Sequence, residues 1–324
     1  MFGNSFYYIL NMSIMASVVM IIIIALRFFL GKWLSKSMLV LFWLVVLFRL
    51  IVPFSIESPI SIGNVFREST IKEVDVSTEI LDEEGPVDLI FSNYIQLADD
   101  YEPISFENSH AANSFDFLGI IWIVGVLIMC CYFTIVYFMF RKLKSDACLV
   151  DDMDAFGASK VKCYVTDRID TPMVVGILKP NILIPKGDYY DLSHELKKVI
   201  VQHEEAHISR RDNLLKVIFG IGLCLHWFNP FIWIMSRMIS KDIELACDEK
   251  VLKGLDQDER KNYVIALVDY ASAGYLHATA FGNLNLKNRV FAIINYKKKS
   301  VYMIAITTLI CVGLAFVLLT NPTK

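Results

Sequence analysis

Apolar residues fall into membrane-length runs separated by a longer stretch of mixed character. Four runs, residues 5–26, 38–54, 117–140 and 301–319, are almost wholly apolar. Each is long enough to cross a bilayer, which needs about 20 residues of helix. The first lacks a basic start and a small-residue cleavage site and is longer than a signal core, so it reads as a retained span. A fifth stretch, residues 214–239, is broken by His226, Asn229 and Pro230. That break predicts a buried or membrane-embedded helical hairpin rather than a full crossing.

Within residues 141–299 the pattern changes. Short β-branched segments at 162–166 and 173–177, then a turn at Lys179-Pro180-Asn181 into 182–184, closed by Pro185, predict a small sheet with a hairpin. Helical signals follow. Asp191 or Ser193 caps a helix through His207, and Asn229 with Pro230 opens another through Val251. Asp256 with Glu259 has the spacing of a capping box for a third helix, ending near Gly274. The expected organisation is two spans in 1–54, an outer loop in 55–115, a third span in 116–140, an α+β domain in 141–299, and a fourth span with a short outer tail in 300–324.

Composition supports the membrane reading: of 324 residues 55% are hydrophobic and only 20% charged, well above the apolar share of a soluble domain. Charge distribution sets the orientation. Arg27, Lys32 and Lys36 lie between the first two runs, Arg141, Lys142 and Lys144 follow the third, and Lys297, Lys298 and Lys299 precede the fourth. All three clusters fall on the cytoplasmic side if the N-terminus is outside, as the positive-inside rule requires. The outer loop is acidic, with Arg67 and Lys72 as its basic residues. Arg49, inside the second run near its outer end, is expected to snorkel to the interface. Of seven cysteines none lies in the outer loop, so no disulfide framework is expected there and the cytoplasmic thiols stay reduced.

Candidate chemistry concentrates in one motif. His203-Glu204-Glu205-Ala206-His207 is a His-Glu-x-x-His sequence on a predicted helix. Residues four apart share a helix face, so the two imidazoles can grip one ion, and Glu204, one position round the helix, can take a proton from the attacking water. A catalytic zinc needs a third protein ligand and an open position. Glu244 is the best candidate; Asp248, four residues on, can share its face and orient a ligand histidine from behind. Asp212 either orients His207 or closes the helix. Cys247 points off that face and reads as packing. His226 reads as a satisfied histidine at a helix end rather than an oxyanion donor. His110, His194 and His277 have no partners at ligand spacing.

These residues resemble the BlaR/MecR-type antirepressor metallopeptidases of bacterial membranes. The likeness rests on the outer-N layout, the Gly176-Ile-Leu-Lys-Pro-Asn-Ile-Leu-Ile-Pro185 segment, the His203-Glu-Glu-Ala-His-Ile-Ser-Arg-Arg-Asp212 helix, the His226-Trp-Phe-Asn-Pro230 turn and Glu244-Leu-Ala-Cys-Asp248. The resemblance implies a membrane protein of four transmembrane helices with a cytoplasmic, gluzincin-like α+β metallopeptidase domain. It implies Zn2+ held by His203, His207 and Glu244, with Glu204 as base. It also implies a regulatory role in antibiotic resistance, in which an outside signal leads to proteolysis of a cytoplasmic repressor of winged-helix type. Self-cleavage is implied between Ala280 and Phe281, ahead of Leu286-Lys287-Asn288-Arg289.

The antibiotic sensors of that family carry a penicillin-binding domain after the last span, whereas here Thr320–Lys324 follow Leu319. Direct β-lactam sensing is therefore not expected. The signal would arrive through the outer loop, an external sensor partner, a second copy of the chain or the lipid bilayer itself, and no direct nucleic-acid binding is expected. Two other readings compete: a membrane-protein quality-control protease, and a non-catalytic scaffold with structural zinc. Glu204 argues against the scaffold, because a structural site has no use for a base beside its ligands.

Overall fold

Among the described residues the apolar runs are helical, and the sheet falls in the mixed stretch. The computed structural model describes residues 2–31, 34–52, 58–60, 109–150, 161–272, 280–296 and 301–320. Most of the acidic loop and the triplet Lys297, Lys298 and Lys299 lie outside the described residues, as do the side chains of Ala280 and Phe281. Two compact units are present: Met1–Cys130, Ile221–Arg237 and Ser300–Lys324 form one, Cys131–Gly220 and Met238–Lys299 the other.

The first unit is built on α1 (Phe2–Leu30) and α2 (Lys36–Ile51), with the start of α3 (Ser109–Ser145) and α10 (Val301–Leu319). Buried residues recur at helical spacing, Met12, Met15, Ala16, Val19, Met20 and Ile23 on α1 and Leu39, Phe42, Trp43, Val46 and Leu50 on α2. Such stripes pair the two helices. Ser35 caps α2 by accepting from the Met38 N–H at 3.2 Å. The helix stops at Ile51 with Val52 extended, because the residue before a proline, here Pro53, is disfavoured in the α region. Among the described residues two helical stretches are long and apolar enough to cross a membrane, Ser5–Phe29 and Asp116–Ser145. On the second, Leu127, Ile128 and Ile135 remain more than half exposed, as expected of a face that meets lipid.

Arg49 departs from expectation. It is buried rather than snorkelling, and its Nη1 donates to the carbonyl of Leu319 at 2.9 Å. A cation at the C-terminus of α10 satisfies a terminal carbonyl and complements the helix dipole.

The interrupted stretch folds as two helices, α6 (Asp212–Leu225) and α7 (Pro230–Leu252). Its turn is laced into the first unit. His226 Nε2 donates to the Leu50 carbonyl at 2.9 Å, and Asn229 Nδ2 donates to Ser13 Oγ and Ser17 Oγ, both at 2.8 Å. Asn229 Oδ1 meanwhile accepts from the Phe231 N–H at 2.8 Å, capping α7. Trp227 presses on α3 where a Cβ at Gly125 would lie 2.1 Å from its ring; only glycine fits there.

The second unit holds a four-stranded sheet of β1 (Cys148–Leu149), β2 (Cys163–Thr166), β3 (Met173–Val175) and β4 (Asn181–Pro185), in the order β1-β2-β4-β3. β2 and β4 run parallel; the other pairs are antiparallel. The β3–β4 hairpin turns at Gly176, whose φ of +96° and Cβ position 2.6 Å from the Lys179 carbonyl exclude other residues. β4 is buried along its whole length, as a central strand covered on both faces should be. On one face Ile182, Ile184 and Cys163 pack on Val201 and Ile208 of α5 (His194–Arg210); on the other, Leu183 and Val175 pack on Leu143 of α3 and Ala147 just beyond it. A third cluster joins Leu252 of α7, Tyr263 of α8 (Gln257–Ser272) and Ile293 of α9 (Ala280–Ile294). The short α4 (Lys186–Asp191) links β4 to α5.

Candidate metal centre

Three local signals position α5. Ser193, not Asp191, caps it by accepting from the Leu196 N–H at 3.3 Å. Val201 and Ile208 anchor one face on the sheet. At the other end Arg211 adopts the left-handed conformation (φ 57°) and closes the helix on the carbonyls of His207 and Ile208. That reversal brings Asp212, the first residue of α6, back beneath the motif: its Oδ2 accepts from His207 Nδ1 at 2.8 Å and from Arg210 Nε at 3.2 Å.

His203 is supported from farther along the chain. Its Nδ1 lies 3.0 Å from the Tyr263 hydroxyl and 3.4 Å from Asp248 Oδ1. Tyr263 donates to Asp248 Oδ1 at 2.8 Å, so the hydroxyl accepts from Nδ1–H and passes the interaction on. Asp256 and Glu259 form the reciprocal cap that starts α8 and sets Tyr263 in place. Asp248 also receives two parallel hydrogen bonds of 2.8 Å from Arg289 of α9.

Both histidines therefore commit Nδ1 to a partner, which directs each Nε2 to the ligating role. The two Nε2 atoms face Glu244, at 3.4 Å from its Oε2 (His203) and 3.6 Å from its Oε1 (His207). Ligand bonds of 2.0–2.1 Å in tetrahedral geometry separate neighbouring donor atoms by about 3.3–3.4 Å, so this set fits a zinc-sized ion. The Glu244 side chain is 35% exposed, against 12% and 10% for the histidines, which leaves an open side toward a cavity of about 410 Å³. Met173, Val174, Leu196, Val199, Leu267 and Leu286 supply apolar walls, and Glu204, Lys216 and Arg289 polar ones.

Cys247 differs from the packing residue expected. It is fully buried, its Sγ donates to the His203 carbonyl at 3.2 Å, and with the two imidazoles it forms a group of ligand atoms all within 4.8 Å of one another. Glu244 offers two oxygens to the pair of Nε2 atoms and Cys247 one sulfur, so each supplies a donor beside the two imidazoles.

The electrostatics follow from this packing. Burial raises the pKa of Glu204, opposed by His203 and His207 and reinforced by Glu244; a carboxyl so placed can take up a proton. Burial works against protonating His207, but Asp212 and Cys247 outweigh it and bring its pKa to about 9. His203 is likewise raised against its burial, chiefly by Tyr263 and Cys247. Glu244 and Asp248 are held below the usual carboxylate range despite burial, Glu244 by His203 and Arg289 and Asp248 mainly by Arg289. A metal-free site thus favours protons where a cation would bind, and metal must displace them.

Of the residues singled out from sequence, His203, Glu204, His207, Glu244 and Asp248 line or back one cavity, and Asp212 touches His207 directly. Tyr263, Arg289 and Cys247 were missed as members of this group. Arg289 had a signal: it interrupts the stripe Leu286, Val290 and Ile293 on α9, where a charge needs a buried partner.

The family model for the BlaR1 peptidase M56 matches residues 7–293. The regulatory protein BlaR1 of Bacillus licheniformis is 25% identical over 198 residues, 56% of this chain and 33% of that protein. BlaR1 of Staphylococcus aureus is 28% identical over 160 residues, 46% of this chain and 27% of that protein. The methicillin resistance mecR1 protein of Staphylococcus aureus strain Mu50 is 26% identical over 154 residues, 44% of this chain and 26% of that protein. The chain spans about a third or less of the length of these curated relatives. With a match over most of its length and two membrane-length apolar helices, the chain belongs to the BlaR1 peptidase M56 family of metallopeptidases and is a membrane-associated protein with a peptidase domain.

Proposed function

We propose that this chain is a regulatory zinc endopeptidase of the cell membrane, which relays an external signal by cutting a cytoplasmic protein, a transcriptional repressor. The observation that carries the reading is the convergence of two Nε2 atoms on the Glu244 carboxylate, with the buried Glu204 lining the same cavity. His203, His207 and Glu244 would hold the ion. When bound, zinc would supply a Lewis acid that lowers the pKa of a bound water to about 7. Glu204 takes a proton from the attacking water and delivers it to the departing amine; its raised pKa suits both roles. The apolar walls favour a substrate with a bulky hydrophobic side chain next to the cut bond, and would accept Phe281 in a self-cleavage at Ala280–Phe281. Asp212, Tyr263 and Asp248 hold the imidazoles in their ligating tautomers.

The four-span, outer-N arrangement with residues 141–299 in the cytoplasm belongs to this proposal and rests on the basic clusters beside the apolar runs. The names of the relatives, a regulatory protein and a methicillin resistance protein, favour a regulatory substrate over general quality control. Glu204→Ala tests the central claim: purified protein should keep its zinc, while cleavage of a co-expressed repressor falls by at least about 100-fold. Undiminished cleavage would remove Glu204 from the chemistry. A cellular response that survives the loss of cleavage would remove proteolysis from the signal.

A further inference from the structure

The residue left unexplained is Arg289, a guanidinium set into the apolar face of α9 with only 14% of its side chain exposed. Among the described residues its polar contacts lead to Asp248, Glu244 and His203. Nε donates to Asp248 Oδ2 and Nη2 to Asp248 Oδ1, each at 2.8 Å, a parallel fork that only arginine can make. Nη1 stands 3.7 Å from Glu244 Oε2, and Nη2 lies 3.5 Å from His203 Nε2. Asp248 in turn receives the Tyr263 hydroxyl, which holds His203 Nδ1. A carboxylate as buried as Asp248, at 2% exposure, cannot stand without a paired cation. It can fix an imidazole only if its own position is fixed.

We infer that Arg289 is a positioning residue of the metal centre: it locks Asp248, and through Tyr263 the His203 ring, while steering Glu244 Oε2 toward the two imidazoles. The inference rests on the metallopeptidase reading above. It makes α9 part of the site, although none of the ligands lies on that helix. It also pairs with Asp248, leaving Glu244 as the carboxylate set between the two imidazoles.

The test uses the full chain in detergent, with Zn2+ affinity measured by competition against a chromophoric chelator and geometry by the absorption bands of the Co2+-substituted protein. Arg289→Ala should lower Zn2+ affinity about 10–100-fold and alter the Co2+ bands, the range seen when outer partners of ligand histidines are lost. Arg289→Lys restores the charge without the fork and should fall between Arg289→Ala and wild type, which keeps the test informative if Arg289→Ala does not fold. Because the effect runs through Asp248, adding Arg289→Lys to Asp248→Asn should cost less than Arg289→Lys costs alone. Wild-type affinity and Co2+ bands in the arginine variants overturn the inference, and so does full additivity with Asp248→Asn. If wild type binds zinc but cleaves nothing, the peptidase reading fails while this inference stands. If wild type takes up no zinc, both fall.

Discussion

His207 and His203 stand four residues apart on one helix, yet they are held by opposite means. His207 is served by its own neighbourhood: a left-handed Arg211 turns the chain so that Asp212, five residues on, meets its Nδ1 at 2.8 Å. His203 is served by three other helices, through Tyr263 of α8, Asp248 of α7 and Arg289 of α9. The first arrangement uses residues at the end of α5 and the start of α6; the second requires α7, α8 and α9 to pack together. One half of the site is thus local and robust, whereas the other reports on the packing of α8 and α9.

Substitutions can break or sharpen this contrast. The largest effect is expected at Glu244, which both halves share. Glu244→Ala should abolish cleavage and lower zinc affinity by more than about 100-fold, since a ligand loss exceeds an outer-partner loss. Zinc content after dialysis reads the outcome directly. Retention of a full equivalent would mean that Cys247 takes the third position, which Cys247→Ser in the same background would then expose.

Next in size comes the pair Asp212→Ala and Tyr263→Phe. Asp212 is the Nδ1 partner of His207, so its loss should reduce zinc affinity by about 10–100-fold. Tyr263→Phe should cost about tenfold or less, because Asp248 Oδ1 already lies 3.4 Å from His203 Nδ1 and can close the gap. Chelator competition on the two variants ranks them. A reversed order would make the distributed half the more rigid one.

The smallest effect is expected at the elbow. Arg211 is the non-glycine residue with positive φ among the described residues, and a side chain there costs about 1–2 kcal/mol. Arg211→Gly relieves that strain but adds unfolded-state entropy, so stability should stay level or rise by up to about 1 kcal/mol. Thermal melting of the metal-free protein measures it. A clear loss of stability would show that Arg211 contributes contacts beyond its backbone conformation.

Much of this could be read from the chain alone because the governing interactions are local. The helix carrying His203 and His207, its Ser193 start, the Asp256–Glu259 cap and the break at His226–Pro230 are set by residues within one or two helical turns of each other. The four-residue spacing of the histidines and of Glu244 with Asp248 places each pair on one face by helical geometry. Spacing could not reveal that Glu244 meets both imidazoles, that Tyr263 stands between Asp248 and His203, or that Arg289 reaches back to close the network. Those contacts join residues tens of positions apart, and only the packing of α7, α8 and α9 decides which side chains meet. Arg49 teaches the same lesson in the first unit: its position suggested an interfacial cation, and the nearness of α10 made it a helix cap. Periodicity fixes which face of an element is buried; what that face touches depends on how the elements assemble, and this is where the chemistry of the site is completed.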